Sequence, residues 1–150
     1  MKNKNINGTI LLLLQQMALL EKHLQIKRSL IPGAGNGLFT TIFISKGTRI
    51  VEYKGRSTTW KDVEHDYRNG YIYSIDSKHV IDAKTYKKAL GRYANDARGL
   101  VSTKDLGNNS RYVVDKFKVF IEAIKDIPAG SEIFVSYGRE YWNVMRRNQL

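Results

Sequence analysis

At 150 residues the chain has the length of one domain, enough to bury roughly 70% of its unfolded surface without covalent staples. The absence of cysteine excludes disulfides, thiolate zinc and a thiol nucleophile, and three histidines (His23, His65, His79) without H-E-x-x-H spacing argue against a catalytic metal. A formal charge of +11, densest at Lys84, Lys87, Lys88 and Arg92, fits either general solubility or an acidic partner such as a nucleic-acid-containing particle.

In chain order, residues 1–8 are polar, and Thr9–Ile26 has the spacing of an amphipathic helix, with Ile10, Leu13, Leu14, Met17, Leu20 and Leu24 on one face. Its apolar run stops at Gln15 and Gln16, short of the ~20 residues of a membrane span, and no A-x-A pattern follows. We therefore expect a helix that packs on the domain or on a second copy, an intracellular chain (nuclear or cytoplasmic) and no membrane partner. The expected division is 1–26 for this segment and 27–150 for one catalytic-type domain with an aromatic C-terminal tail.

From Lys27 the texture becomes short β-like runs punctuated by glycine. Leu38–Ile44 and Thr48–Tyr53 read as strands, and Ser57 or Thr58 as the cap of a short helix through Tyr67. Tyr71–Ile75 and His79–Ile81 read as a hairpin around Asp76-Ser77-Lys78, and Tyr86–Tyr93 as one or two helical turns. Tyr112–Val114 and Lys118–Ile124 form a second strand pair turning near Lys116. Pro128-Ala129-Gly130 is a turn, and Glu132–Tyr137 a last short strand. Many short strands and few helices predict a mainly β domain of small curved sheets.

Four clusters could carry chemistry. Gly33-Ala34-Gly35-Asn36-Gly37 lets backbone approach a ligand or simply turns the chain; it lacks the third glycine of G-x-G-x-x-G. Glu52-Tyr53-Lys54-Gly55 places a tyrosine at a strand end. Arg92-Tyr93-Ala94-Asn95-Asp96 is followed by Asn108-Asn109-Ser110, two Asn-rich turns close in sequence. Glu132–Gly138 with Tyr141-Trp142 is dense in aromatics, which pack on a core or sandwich a flat ring.

In this order and spacing the clusters resemble the SET-domain family of lysine methyltransferases, from about Lys27 to Trp142. "IPGAGNGLF" resembles the family's first cofactor loop, "VEYKG" its Y-x-G segment, and "IDA" the link before its knot. "GRYANDA" resembles R-F-x-N-H-S, and "GSEIFVSYG" the G-E-E-L-x-x-x-Y-G end. The small zinc-free microbial and viral members are the most similar, since the family's cysteine-rich flanks are absent.

The resemblance implies a SET fold with a C-terminal pseudoknot, S-adenosylmethionine as cofactor with S-adenosylhomocysteine as product, and no metal. It implies cofactor contacts from Gly35, Asn36, Gly37, Arg92, Asn95, Asp96, Tyr137, Tyr141 and Trp142, with the indole stacked on the adenine. It further implies Tyr137 and Tyr53 as catalytic residues, a lysine channel lined by Tyr53, Tyr73 and Tyr112, and a limit on methyl number set by Tyr112 and Val135. The implied substrate is a histone or another basic protein. Asp96 departs from the family, which usually has histidine there.

The residue types suit such a reaction. Methyl transfer from a sulfonium needs alignment and desolvation, and neutralising a lysine of pKa near 10.4 at pH 7 costs on the order of 4–5 kcal/mol. A tyrosine-lined apolar channel lowers that cost and orients the amine without an acid–base histidine. Two other readings stay open: a basic module that binds nucleic acid, chromatin or ribonucleoprotein without catalysis, and an interaction protein that dimerises through the N-terminal helix.

Overall fold

A computed structural model of the chain describes residues 19–148, with Gly8 and Ile10 ahead of them. The predicted β character holds, in three small antiparallel sheets of three strands each. The first joins β1 (Leu24–Arg28), β2 (Asn36–Thr40) and β9 (Glu132–Ile133) in the order β1-β2-β9. The second runs β3-β8-β7, from β3 (Arg49–Glu52), β8 (Lys118–Ala123) and β7 (Ser110–Asp115). The third runs β4-β6-β5, from β4 (Arg56–Thr59), β6 (His79–Asp82) and β5 (Ile72–Ser74).

The main core lies between the first two sheets, where Leu24, Leu38, Ile50, Val51, Ile121, Ile133 and Val135 bury their side chains together. Branched residues dominate because each side chain stands on a pleated face with χ1 already restricted. A second cluster of Tyr53, Ile81, Ala83 and Val119 ties the second sheet to the third.

Both expected hairpins form. Asp76 closes β5–β6 by accepting the backbone N–H groups of Lys78 (2.8 Å) and His79 (2.7 Å) on one oxygen. Lys116 turns β7 into β8 with φ 57°, a left-handed conformation adopted here without glycine. The short helical stretch before the Asn-rich turn is a 3-10 helix, Leu90–Tyr93.

Four expectations need correction. The helix predicted to run through Ile26 is not helical at its C-terminal end, where Leu24–Arg28 is strand β1, paired from Leu24↔Thr40 to Arg28↔Asn36. Leu24 satisfies a helical spacing and a strand equally well, and backbone pairing to β2 decides between them. Just before β1, Glu21–His23 is a single 3-10 turn. The stretch Thr9–Ala18 lies outside the described residues apart from Ile10, and the 26/27 division falls within β1. Ser57 and Thr58 cap no helix. They pair with Ile81 and Val80 in β4, and the following helix α1 (Trp60–Val63) is a single turn.

Strand Leu38–Ile44 is displaced to Asn36–Thr40, leaving Ile44 in an isolated bridge to Ile127. The strand expected over Glu132–Tyr137 is regular only at Glu132–Ile133, and the tail beyond Gly138 is a helix, α2 (Arg139–Asn148).

The departure from regular strand after Ile133 is what makes the knot. Phe134 bridges in parallel to Asn95 and Val135 to Ser110, so the C-terminal stretch lies between two earlier segments. Val135 N–H donates to Asn95 O (2.9 Å), and Ser110 N–H to Phe134 O (2.9 Å). The buried Asn109 side chain completes the crossing: its amide donates to Glu132 O (2.9 Å) while its oxygen accepts Phe134 N–H (2.9 Å). Such a side chain must satisfy both its donor and its acceptor when buried, and this placement does so.

Candidate active site

A cavity of about 640 Å³ opens where the knot, the 3-10 helix, β5 and α2 meet. Seven of the nine tyrosines line it (Tyr53, Tyr71, Tyr73, Tyr93, Tyr112, Tyr137 and Tyr141). This volume is in the range of cofactor sites.

One wall carries three tyrosines on strands or strand ends. Tyr53 follows β3, Tyr73 lies in β5 and Tyr112 in β7, with ring centroids 4.8–6.2 Å apart. Tyr53 is buried and its hydroxyl donates to Tyr71 O (2.9 Å). A second aromatic triad lies on the C-terminal turn and α2. Tyr137 and Trp142 stack at 5.7 Å and 20°, and Tyr141 meets both edge-on. The Tyr137 hydroxyl donates to Ala94 O (2.6 Å), which leaves its oxygen lone pairs free to accept.

Burial is the first cause that raises the pKa of Tyr53, Tyr73, Tyr112, Tyr137 and Tyr141, with neighbouring phenols adding to it for all but Tyr73. Desolvation disfavours the phenolate, so these groups are neutral O–H donors at pH 7.

The polar end of the cavity is set by Arg92, Asn95, Asn36 and Gly35. Arg92 places its guanidinium 4.1 Å from the centroid of the Tyr71 ring, and its Nε is buried without a hydrogen-bond partner. No carboxylate pairs with it among the described residues, so the cavity holds a cation whose hydrogen-bonding capacity is not used up. Asn95 donates its amide to Asn36 O (2.9 Å) and to the Glu132 carboxyl (3.3 Å). It therefore ties the glycine loop to the knot. Gly35 turns that loop at φ 72°.

Three predicted residues stand apart from the cavity. Gly37 faces Glu132: a Cβ there would overlap the carboxyl oxygen that accepts from Ser29 Oγ (2.7 Å) and Asn95. Its smallness makes room for a buried acid, whose other oxygen accepts Leu30 N–H (2.7 Å). Val135 is fully buried in the main core. Asp96 is buried behind the aromatic wall, where it accepts the Trp142 indole N–H (2.8 Å) and Tyr137 N–H (2.9 Å). The remaining predicted residues (Gly35, Asn36, Tyr53, Tyr73, Arg92, Asn95, Tyr112, Tyr137, Tyr141 and Trp142) all line the cavity.

Sequence reasoning missed Arg68, Tyr71 and Met145, which also line it. Met145 was findable, since Tyr141 and Met145 share a face at i, i+4 spacing in α2. Arg68 and Tyr71 carry no such local signal.

The fold and cavity define a β-rich domain in which a knotted C-terminal stretch and the sheets together line one cavity with two aromatic triads and an arginine that no carboxylate pairs among the described residues. Residues 35–138 match the SET domain family, and the chain belongs to that family.

Two curated relatives are histone-lysine N-methyltransferases by name. EZH2 of Chaetomium thermophilum is 28% identical over 140 residues, covering 84% of this chain and 9% of the relative. The set-17 enzyme of Caenorhabditis elegans is 31% identical over 123 residues, covering 79% of this chain and 42% of the relative. The chain thus spans less than half the length of either relative. The structure is similar to that of a humanized mutant of the Chaetomium thermophilum Polycomb Repressive Complex 2 bound to the inhibitor GSK126. That likeness has a TM-score of 0.65 and 26% identity, over 89% of this chain and 17% of that one.

Proposed function

We propose that this chain is a protein-lysine N-methyltransferase that uses S-adenosylmethionine and acts on histones or other basic proteins. The observation that carries the reading is the cavity itself, with neutral tyrosines on both walls and an unpaired arginine at the polar end. When bound there, S-adenosylmethionine supplies an electrophilic methyl group on a sulfonium.

The residues present fit this cofactor. Arg92 would take its carboxylate, which explains a buried guanidinium nitrogen without a partner. The open backbone at Gly35 and Asn36 would face its methionine portion, and Trp142 and Tyr141 the flat adenine. Tyr53, Tyr73 and Tyr112 would line the passage of the substrate amine. Their apolar ring faces disfavour an ammonium by desolvation, which favours the neutral nucleophile. Tyr137, with its proton committed to Ala94 O, presents lone pairs toward polarised C–H groups. The Tyr112 hydroxyl, from its place in the cavity lining, would limit the number of methyls added.

A basic substrate is compatible with a chain of charge +11. A second cavity of about 560 Å³ shares Tyr73, Tyr137 and Tyr141 with the first and is lined in part by Glu64, Asp66 and Glu140. Asp66 is already paired with Lys84 Nζ (2.7 Å), so Glu64 and Glu140 are the acids that would attract a basic segment locally, while the overall charge would favour a nucleic-acid-containing particle as the carrier. We place the protein inside the cell, in nucleus or cytoplasm, on the strength of that substrate class. No helix among the described residues is long and apolar enough to cross a membrane.

The test is calorimetric titration with S-adenosylhomocysteine, without added metal, followed by mass spectrometry of free histones and nucleosomes incubated with S-adenosylmethionine at two salt concentrations. We expect binding and added methyl groups on lysine, with nucleosome preferred and that preference lost at high salt. Binding to nucleic acid without any cofactor binding would instead favour the non-catalytic basic module.

A further inference from the structure

Helix α2 carries one wall of the cavity, yet none of its residues is buried. Its docking contacts are local: Trp142 rests against Gly99 and Tyr141 and Met145 against Gly70, where an added Cβ would meet them, and Asn148 donates to Tyr67 O (3.2 Å). The contact with the most polar partners is made from beneath by Asp96, which is 6% exposed. One carboxylate oxygen accepts Arg98 N–H (2.9 Å) and the Asn108 amide (2.9 Å). The other accepts Tyr137 N–H (2.9 Å) and the Trp142 indole N–H (2.8 Å).

All four partners are donors. The side chain at position 96 must therefore accept on two atoms, twice on each, and donate nothing. An ionised carboxylate of this length meets that requirement. A neutral imidazole offers one acceptor nitrogen and an imidazolium none, while an asparagine offers one oxygen and turns an NH₂ toward two further N–H groups. Histidine, the residue this family usually carries in the segment, could not make these four bonds.

We propose that Asp96 is a positioning residue, an ionic latch that holds Trp142 and the Tyr137 backbone against the knot and so shapes the cofactor-facing wall. The lowered pKa of Asp96 agrees: burial opposes ionisation, but the Trp142 and Tyr137 bonds, followed by those from Asn108 and Arg98, outweigh it. The latch also gives α2 its register, because Trp142 is the residue of that helix bonded to the knot.

The inference rests on the cofactor reading of the cavity for its effect on affinity, but the latch can be read in the ligand-free chain. The chain has two tryptophans, and the second, Trp60, lies exposed on the surface. In the ligand-free wild-type protein, NMR should show the Trp142 indole N–H exchanging with solvent much more slowly than that of Trp60. Equal exchange rates would overturn the latch, whatever the chain binds.

In a Trp60→Phe background, Asp96→Asn should move Trp142 emission to longer wavelength and increase its quenching by acrylamide. It should also weaken S-adenosylhomocysteine binding by ~10-fold or more, as expected when buried donors lose a charged acceptor. Asp96→His should do the same. Trp142→Phe removes one of the four donors and should weaken binding less. In that variant the further effect of Asp96→Asn should shrink, because the two residues share a bond. Unchanged emission in a folded Asp96→Asn protein, or full multiplicativity of the two substitutions, would overturn the proposal. Absence of cofactor binding by the wild type would sink the proposed activity alone, leaving emission and exchange to decide the latch.

Discussion

The two aromatic triads that line the cavity are built in opposite ways. Tyr53, Tyr73 and Tyr112 stand in or beside strands of two sheets, locked by ladder hydrogen bonds and by a core that includes Ile81, Ala83 and Val119. Tyr137, Tyr141 and Trp142 stand on a turn and a short helix with no buried residue, fixed by hydrogen bonds from Tyr137 and Trp142 to Ala94 and Asp96. The first wall inherits its geometry from the sheets; the second depends on a handful of polar contacts. The cavity thus has one side fixed by its sheets and a second side whose order is set locally, where its shape can change without unfolding the domain.

The sharpest way to break that comparison is Tyr137→Phe. It keeps the ring and its stacking on Trp142 but deletes the hydroxyl bonded to Ala94 O. We expect turnover to fall by ~10²-fold or more with S-adenosylhomocysteine affinity nearly unchanged, as for a positioned catalytic hydroxyl. Steady-state kinetics with calorimetry measure both, and an unchanged rate would assign the chemistry to another tyrosine.

A smaller effect comes from Gly99→Ala, whose Cβ would fall within the space of the Trp142 ring. The indole must shift, so cofactor affinity should drop by roughly 5–10-fold, while thermal stability changes by less than about 1 kcal/mol because α2 contributes little to the core. A large loss of stability instead would show that α2 is as integral as the sheets.

The smallest effects are in the pH dependence of stability. Native tyrosine pKa values above the ordinary 10 mean that the unfolded chain loses phenol protons first. The tyrosine contribution is therefore constant below about pH 10 and falls as pH rises further. On the acid side the native pKa of Asp96 lies below 3.8, so its contribution is complete above about pH 4 and is lost as pH falls through the native value. Asp76, lowered to about 2 by His79 and two backbone N–H groups, adds to the same limb. Chemical denaturation from pH 3 to 11 should show Asp96→Asn reducing the acid limb and Tyr112→Phe reducing the alkaline one. An acid limb identical in Asp96→Asn would show that ionising Asp96 does not stabilise the folded chain.

Legibility followed the range of the interactions. Asp76 was readable as a turn because its side chain bonds to backbone two and three residues on. Strands such as Arg49–Glu52 and Lys118–Ala123 were readable from branched residues that suit a pleated surface in any context. Ten of the candidate residues line one cavity although they are scattered over the chain, because ordered motifs carry information no single one has. Where local signals competed, the reading failed: Leu24 fits either period, and Ser57-Thr58 looks like a cap only while its partners Ile81 and Val80 are unknown.

The composition and motif order alone determined that this is a cysteine-free, mainly β domain of the SET type, and the resemblance those motifs carry pointed to Tyr137 as the residue to test. Tertiary structure decided what Gly37 and Asp96 are for. One makes room for a buried Glu132, and the other gathers four N–H donors from residues up to Trp142. Neither role is visible locally, because a buried polar group is defined by partners that only the fold brings within about 3 Å.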